Sequence, residues 1–155
     1  MNAAQHRLDR SAIAKLIPHA GAMCLLDEVI GWDEHSIEAR SDGHRATNHP
    51  LRRGAHLPAL ALIEYGAQAM AVHGGLLAQA AGAPVQPGLL ASARDVRLLV
   101  DTLEAIESVL EIRAERLVAS GDGWLYAFQI IASQQKIAEG RVAVVTVRDA
   151  ILAGL

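Results

Sequence analysis

The sequence predicts an α+β fold, in which an antiparallel β-sheet curls around one long central helix. Residues 59–81 form a helical stretch rich in Ala, Leu and Met, with only a few polar positions. A helix that is apolar on nearly every side has to be covered by other elements. The second half of the chain is a series of strand-like segments joined by short turns, and a sheet made from them would provide that cover. We expect one domain spanning residues 1–155.

The first part of the chain predicts a short helix and a β-hairpin. Residues 11–17 are expected to form a helix that is capped by its leading serine and ended by Pro18. Residues 24–32 and 36–40 have strand-like patterns, and the Asp-Glu-His between them predicts the hairpin turn. Residues 42–57 predict an ordered loop, of a length that is typical of functional segments.

The rest of the chain predicts the central helix and four strands. Pro58 suits the first turn of that helix, which is expected to run from residue 59 to about residue 81. The last three strands are joined by short turns, one of them Gly-Asp-Gly, so they should be antiparallel neighbours. Exposed sheet edges invite pairing, and we therefore expect a dimer that continues the sheet. The four strands are predicted at residues 89–100, 109–120, 124–133 and 136–147.

Composition and charge exclude several classes of protein. The chain is 52% hydrophobic and 20% charged, which suits one sizeable core. Its net charge of −3 gives no electrostatic reason to expect nucleic acid binding. No apolar run reaches the roughly 18 residues that a membrane span needs, and the amino terminus lacks the pattern of a signal peptide. Because Cys24 is the single cysteine and the histidines are scattered, we expect a cytoplasmic protein without a metal site.

One carboxylate interrupts the apolar central helix. Glu64 lies in the second turn of the predicted helix, where burial of an ionisable group is costly unless other groups compensate. Gln68 follows four residues later, so both side chains lie on the same helix face and can form a hydrogen bond. The pair indicates a buried site rather than a solvent-facing surface.

Two segments carry a resemblance to a known family. LIPHAGAMCLLDEVIGWD, at residues 16–33, is similar to a family opening of Leu-Pro-His, an apolar pair and Asp-x-Val. LPALALIEYGAQAM, at residues 57–70, resembles the start of that family's central helix, where Glu is followed four residues later by Gln. DVRLL and KIAEGRVAVV match its later strands more loosely. The family is the hot-dog-fold 3-hydroxyacyl-(acyl-carrier-protein) dehydratases, and IEYGAQAMAVHG most resembles a divergent branch found beside synthases of aryl polyene lipids.

The resemblance implies a dehydration of 3-hydroxyacyl thioesters to trans-2-enoyl thioesters, in fatty acid or aryl polyene synthesis. Such a reaction needs an acid for the leaving oxygen, a base for the proton beside the carbonyl, and stabilisation of enolate-like charge. Glu64 is implied as the acid. A histidine of the loop before the helix is implied as the base, facing the glutamate of a partner subunit. By their spacing before Pro58 we rank His49 first, then His44, then His56.

The resemblance also implies how the substrate is held. The backbone N–H groups of Ala59 and Leu60, at the helix start made by Pro58, are expected to face the thioester carbonyl, with Gln68 fixing the glutamate. The substrate would arrive on the phosphopantetheine of an acyl carrier protein, and no metal or redox cofactor is implied. The expected assembly is a homodimer, or a heterodimer with another hot-dog subunit. Four arginines are either ordinary surface charge or, as the alternative, a basic rim that receives the acidic carrier: Arg52, Arg53, Arg94 and Arg97.

Two other functions stay open at the level of the sequence. A hot-dog thioesterase would use Glu64 to activate a water molecule against the same carbonyl. A non-catalytic subunit would complete the dimer of an active dehydratase, which is motivated by the lack of the family's His-Phe-Pro-Gly tetrapeptide. His19 is expected to support the fold, and His73 to be a hydrogen-bonded core residue.

Overall fold

A seven-stranded antiparallel sheet curls around one long helix in the computed structural model of the chain. The structure describes residues 7–17, 21–84, 88–121, 123–146 and 154. Within these residues the sheet has the strand order β1-β2-β3-β5-β6-β7-β4. The elements are β1 (Leu8–Asp9), α1 (Arg10–Ala14), β2 (Glu28–Trp32), β3 (Ser36–Ser41), α2 (Ala61–Ala80), β4 (Gly88–Leu98), β5 (Leu110–Ser120), β6 (Gly123–Ala132) and β7 (Gln135–Thr146).

Helix α2 is the centre of the core, which confirms the predicted architecture. It packs against β5, β3 and β6, and more than half of its residues are buried. The packing against β6 is tight at Gly66, where an added Cβ would lie 2.6 Å from Cγ of Phe128. The same ring lies against Gly140, its cross-strand partner on β7. Neither helix is long and apolar enough to cross a bilayer, within the residues that the structure describes.

The predicted strands are confirmed, with differences at their ends. The hairpin of β2 and β3 and the antiparallel series β5, β6 and β7 are present. The first predicted strand is wrong over residues 24–27, which are irregular, because the Leu25 N–H donates to the Gln68 side chain instead of to a strand. The loop over residues 42–57 contains only a short 3-10 turn and an isolated bridge.

Both helix starts differ from the prediction. Helix α1 begins one residue earlier and is capped by Asp9, whose carboxylate accepts the Ala12 N–H at 2.9 Å. Helix α2 begins at residue 61 rather than 59, because Pro58 and Ala59 pair with residues 101–102 before the helix starts. The predicted stop at Pro18, the centre of the Gly-Asp-Gly turn and Val147 lie outside the described residues.

The described sheet ends at β4, which pairs only with β7 inside the chain. Most β4 residues are exposed, and Leu89 and Leu90 keep 48% and 46% of their surface in solvent. Large apolar side chains on an end strand form a surface that suits pairing with another chain. This is the edge at which the predicted continuation of the sheet can occur.

Candidate active site around Glu64

Glu64 lies in the first turn of α2, partly buried, on the walls of two cavities. One cavity, of about 460 Å³, follows α2 from Glu64 to Ala78 beside β4 and β6, and its walls are mainly apolar. The other, of about 440 Å³, opens at the helix start beside Leu51, Arg53 and Leu60. Among the described residues Glu64 is the only one that lines both, and its carboxylate is the only carboxylate on either wall.

Gln68 holds the Glu64 carboxylate, as the helical spacing predicts. Its amide nitrogen donates to Glu64 Oε1 at 3.2 Å and to the Met23 carbonyl at 2.7 Å. Its amide oxygen accepts the Leu25 N–H at 2.9 Å, and the side chain is fully buried. Two of the three bonds of this amide are to backbone groups, so the amide cannot rotate freely and the carboxylate has a defined neighbour.

The backbone at the helix start offers one of the two predicted donors. The Ala59 N–H donates to the Asp101 carbonyl at 2.9 Å, so it is not directed at a ligand. The N–H groups of residues 61–63 donate to the carbonyls of residues 58–60, in a tight first turn. Within the described residues, only the Leu60 N–H at this helix start has no backbone acceptor, and Leu60 lines the cavity with Glu64. Positive potential at a helix amino terminus favours negative charge there.

His49 is held inside the protein by both ring nitrogens. Its Nδ1 accepts the Leu51 N–H at 3.1 Å, so the neutral ring carries its proton on Nε2. That proton points to the Tyr65 hydroxyl, 3.0 Å away. Burial lowers the pKa of His49, which favours the neutral ring, and raises the pKa of Tyr65 to about 12. His49 lines neither cavity, so one chain does not bring the first-ranked base to Glu64.

The other two ranked histidines also have structural partners. His44 is fully buried and its Nε2 donates to the Ile106 carbonyl at 2.7 Å. His56 is largely exposed, and its Nδ1 donates to Oε1 of Glu104 at 2.5 Å. This hydrogen bond, together with one from the Leu57 N–H, lowers the pKa of Glu104 to about 2. Neither ring lines the cavities at Glu64, within the part of the chain described.

The arginines of the predicted basic rim have different surroundings. Arg52 is tied into its own loop, where its guanidinium donates to the carbonyls of Ala46 and Ala55. Arg97 lies on β4 and pairs with Glu139, on another part of the surface. Arg53 is exposed at the mouth of the cavity that opens at the helix start, and its guanidinium has no ion pair among the described residues. Among the described residues that line the two cavities at Glu64, Arg53 is the only cation.

His73 is a hydrogen-bonded core residue, as predicted. Its Nε2 donates to the Asp33 carbonyl at 2.8 Å, and its Nδ1 accepts from the Tyr126 hydroxyl at 2.7 Å. The sequence did not indicate two residues of this region, Tyr65 and Glu104, because their partners are distant in the chain and follow no local period. His19 lies outside the described residues.

Comparisons with known proteins identify a family and a fold. The family model described as ApeP-like: ApeP dehydratase matches residues 11–152. None of the proteins of curated function matches the chain.

Solved structures show the hot-dog fold. The dehydratase heterocomplex ApeI:P from Xenorhabdus doucetiae is similar with a TM-score of 0.81 and 23% identity, covering 91% of this chain and 95% of that one. The HP0420 homologue from Helicobacter felis gives a TM-score of 0.61 at 12% identity, covering 94% of each chain. A hypothetical thioesterase with coenzyme A from Streptococcus pneumoniae gives 0.56 at 9% identity, covering 76% and 83%. At these identities the likeness defines the architecture, and the predicted hot-dog fold is confirmed.

Proposed function

Because the chain belongs to the ApeP-like dehydratase family, we propose that it takes part in dehydrating 3-hydroxyacyl thioesters to trans-2-enoyl thioesters. The substrate would be carried on the phosphopantetheine of an acyl carrier protein, in the synthesis of fatty acids or aryl polyene lipids. The observation that carries the proposal is Glu64, a carboxylate held by Gln68 on the walls of two cavities. Loss of water involves no net oxidation or reduction, so the proposal includes no redox cofactor, and both the acid and the base are proposed to be protein side chains.

The proposed reaction gives Glu64 one defined proton transfer. A base takes the proton from the carbon beside the thioester carbonyl, and the electrons of that C–H bond form the new double bond as the C3–O bond breaks. Protonated Glu64 gives its proton to the departing oxygen, which leaves as water. Negative charge grows on the thioester oxygen during this step, and the Leu60 N–H is the donor at the helix start that can stabilise it.

We propose that the base belongs to a second hot-dog subunit. Among the described residues, each of the three ranked imidazoles has a structural hydrogen-bond partner, and His49 has two, Tyr65 and Leu51. The Xenorhabdus doucetiae neighbour is a dehydratase heterocomplex, which supports pairing with a different subunit. The exposed Leu89 and Leu90 of β4 provide an edge for that pairing. This chain then supplies the acid, and its partner supplies the base.

Arg53 is the proposed contact for the carrier. It stands at the mouth of the cavity that contains Glu64, whereas Arg52 is engaged by backbone carbonyls. A phosphopantetheine phosphate carries charge that an arginine binds with charge-assisted hydrogen bonds. Arg45, in the same loop, pairs with Asp42 and offers a matched control. Arg53→Gln should raise the KM for the carrier-bound substrate about tenfold, and Arg45→Gln should leave it unchanged.

The deciding experiment follows the product by mass. The tagged chain is isolated from its own organism with its native partner, and is also produced alone in a foreign host. Both samples receive a 3-hydroxyacyl carrier protein, and we expect the 2-enoyl product from the native complex. Glu64→Gln should lower that rate about 100-fold or more, which is the range of general acid catalysis. Free acid instead of enoyl product would indicate a thioesterase, and full activity of Glu64→Gln would refute the assignment of the acid.

The origin of the base is tested separately. If the partner supplies it, His49→Gln in the native complex should keep activity within a few-fold, because an amide can still donate to Tyr65. The chain alone should then be inactive. An active homodimer whose rate falls about 100-fold in His49→Gln would instead assign the base to His49 of this chain and refute a base from a different subunit.

A further inference from the structure

The segment over residues 101–106, between β4 and β5, fastens the loop that leads into α2. Its backbone makes three hydrogen bonds to the chain between residues 44 and 59. The Asp101 carbonyl accepts the Ala59 N–H at 2.9 Å, and the Leu103 N–H donates to the Leu57 carbonyl at 2.9 Å. The Ile106 carbonyl accepts from the buried ring of His44 at 2.7 Å. Both ends of the loop are therefore held by the same six residues.

Within the described residues, Glu104 is the one side chain of this segment that forms hydrogen bonds to the loop. Its Oε1 accepts from His56 Nδ1 at 2.5 Å, and its Oε2 accepts from the Leu57 N–H at 2.8 Å. The two carboxylate oxygens thus hold two consecutive residues at once. The backbone connections would form with most residue types, but this double acceptance requires a carboxylate, since an amide offers one oxygen and presents donors on its other side.

The two residues held by Glu104 lie directly before the helix start. Only two residues separate Leu57 from Leu60, whose N–H is the donor without a backbone acceptor at this end of α2 within the described residues. Leu60 shares its cavity with Glu64. A shift of the chain at Leu57 would move that donor relative to the carboxylate, and misplacement by about 1 Å is enough to slow a positioned reaction severely.

We propose that Glu104 is a positioning residue for the dehydration, which fixes the Leu60 N–H against the cavity by holding His56 and the Leu57 N–H. It does not contact the reacting atoms; it acts through the segment that it holds. The role rests on the proposed function, because it concerns the donor that faces the thioester oxygen.

The test uses graded variants and a matched control in the native complex. Glu104→Ala removes both acceptors, Glu104→Gln keeps one, and Asp101→Asn alters an acid of the same segment that acts only through its backbone. We expect kcat to fall about tenfold in Glu104→Ala and less in Glu104→Gln, with KM within twofold of wild type. Asp101→Asn should match wild type. An unchanged kcat in Glu104→Ala, or an equal loss in Asp101→Asn, would overturn the proposal.

A second measurement is independent of activity. Amide hydrogen exchange should become at least tenfold faster at Leu57 and at Ala59, whose N–H donates to the Asp101 carbonyl, in Glu104→Ala, while β5 and β6 keep their protection. Unchanged exchange at Leu57 and Ala59 would overturn the inference, whatever the kinetics. Wild-type protein that makes no enoyl product would count against the proposed function, and the exchange result would still decide whether Glu104 holds the helix start.

Discussion

The Gln68 amide nitrogen lies 3.2 Å from Oε1 of Glu64, one helical turn away. The same amide bonds the Met23 carbonyl and the Leu25 N–H, in the irregular segment before β2. One buried side chain thereby links the candidate acid to a part of the chain more than 40 residues distant in sequence. The Gln68 amide is therefore held by backbone groups of that segment as well as by Glu64.

Gln68→Met should therefore reduce stability as well as activity. Methionine fills a similar volume but leaves the Leu25 N–H and the Met23 carbonyl without their partner, each at a cost of roughly 1–3 kcal/mol. We expect the free energy of unfolding to fall by about 3 kcal/mol in urea denaturation. Gln79→Met, on the exposed end of the same helix, is the control and should change stability by less than about 0.5 kcal/mol.

Gly66→Ala should destabilise the protein although alanine favours helices. The new Cβ would lie 2.6 Å from the Phe128 ring, which is itself packed against Gly140. Overpacking costs about 1–3 kcal/mol, against a helix gain of about 1 kcal/mol. At Gly74 of the same helix a Cβ would have no neighbour within 4 Å, so Gly74→Ala should instead stabilise. Thermal unfolding of the two variants gives the comparison, and a stabilised Gly66→Ala would contradict this packing.

Acidification should weaken the fold through His73. Burial lowers the pKa of His73 from its usual 6.5, so below pH 6.5 the unfolded chain binds a proton that the folded chain does not. Stability must then fall as the pH decreases from 6.5 toward the folded pKa, by at most about 1.4 kcal/mol per pH unit for one group. His73→Gln should show a shallower dependence in this range. The exposed His35 serves as the control, and His35→Gln should keep the wild-type slope.

Glu104 should add a second acid-sensitive range at lower pH. Its pKa is lowered from 4.5 to about 2 by the bonds from His56 and the Leu57 N–H. Stability from this carboxylate is present above pH 4.5 and is lost as the pH falls from 4.5 through about 2. In equilibrium unfolding between pH 5 and 2.5, the free energy of unfolding should therefore decrease less with falling pH for Glu104→Gln than for the wild type. Identical curves for the two proteins would show that the pair does not hold in solution.

The fold could be predicted because its signals are local. Leu110, Ile112 and Ala114 alternate with charged residues, and all three are buried on β5. The apolar stretch of α2 needed a cover, and the sheet provides it. Helix starts were less accurate, since Asp9 and Ser11 are both suitable caps and the choice depends on where the chain enters the sheet.

The candidate site was only partly predictable, because only some of its contacts are local in the sequence. Glu64 and Gln68 are one turn apart, so helical spacing alone brings them together. His49 meets Tyr65 across 16 residues, and His56 meets Glu104 across 48. Such contacts depend on how the loop folds back onto the sheet, which periodicity does not encode. Ranking the histidines by their distance from Pro58 could not reveal that each has a structural partner.

Strand β4 ends at Leu98. Three residues later in the chain is Asp101, whose backbone carbonyl accepts the Ala59 N–H just before α2. A second subunit that binds along β4 would therefore contact a strand whose backbone leads directly into the segment that holds the start of α2. Association and the alignment of the Leu60 donor become mechanically linked. Loss of that subunit would then slow the reaction by displacing the Leu60 N–H from the thioester oxygen.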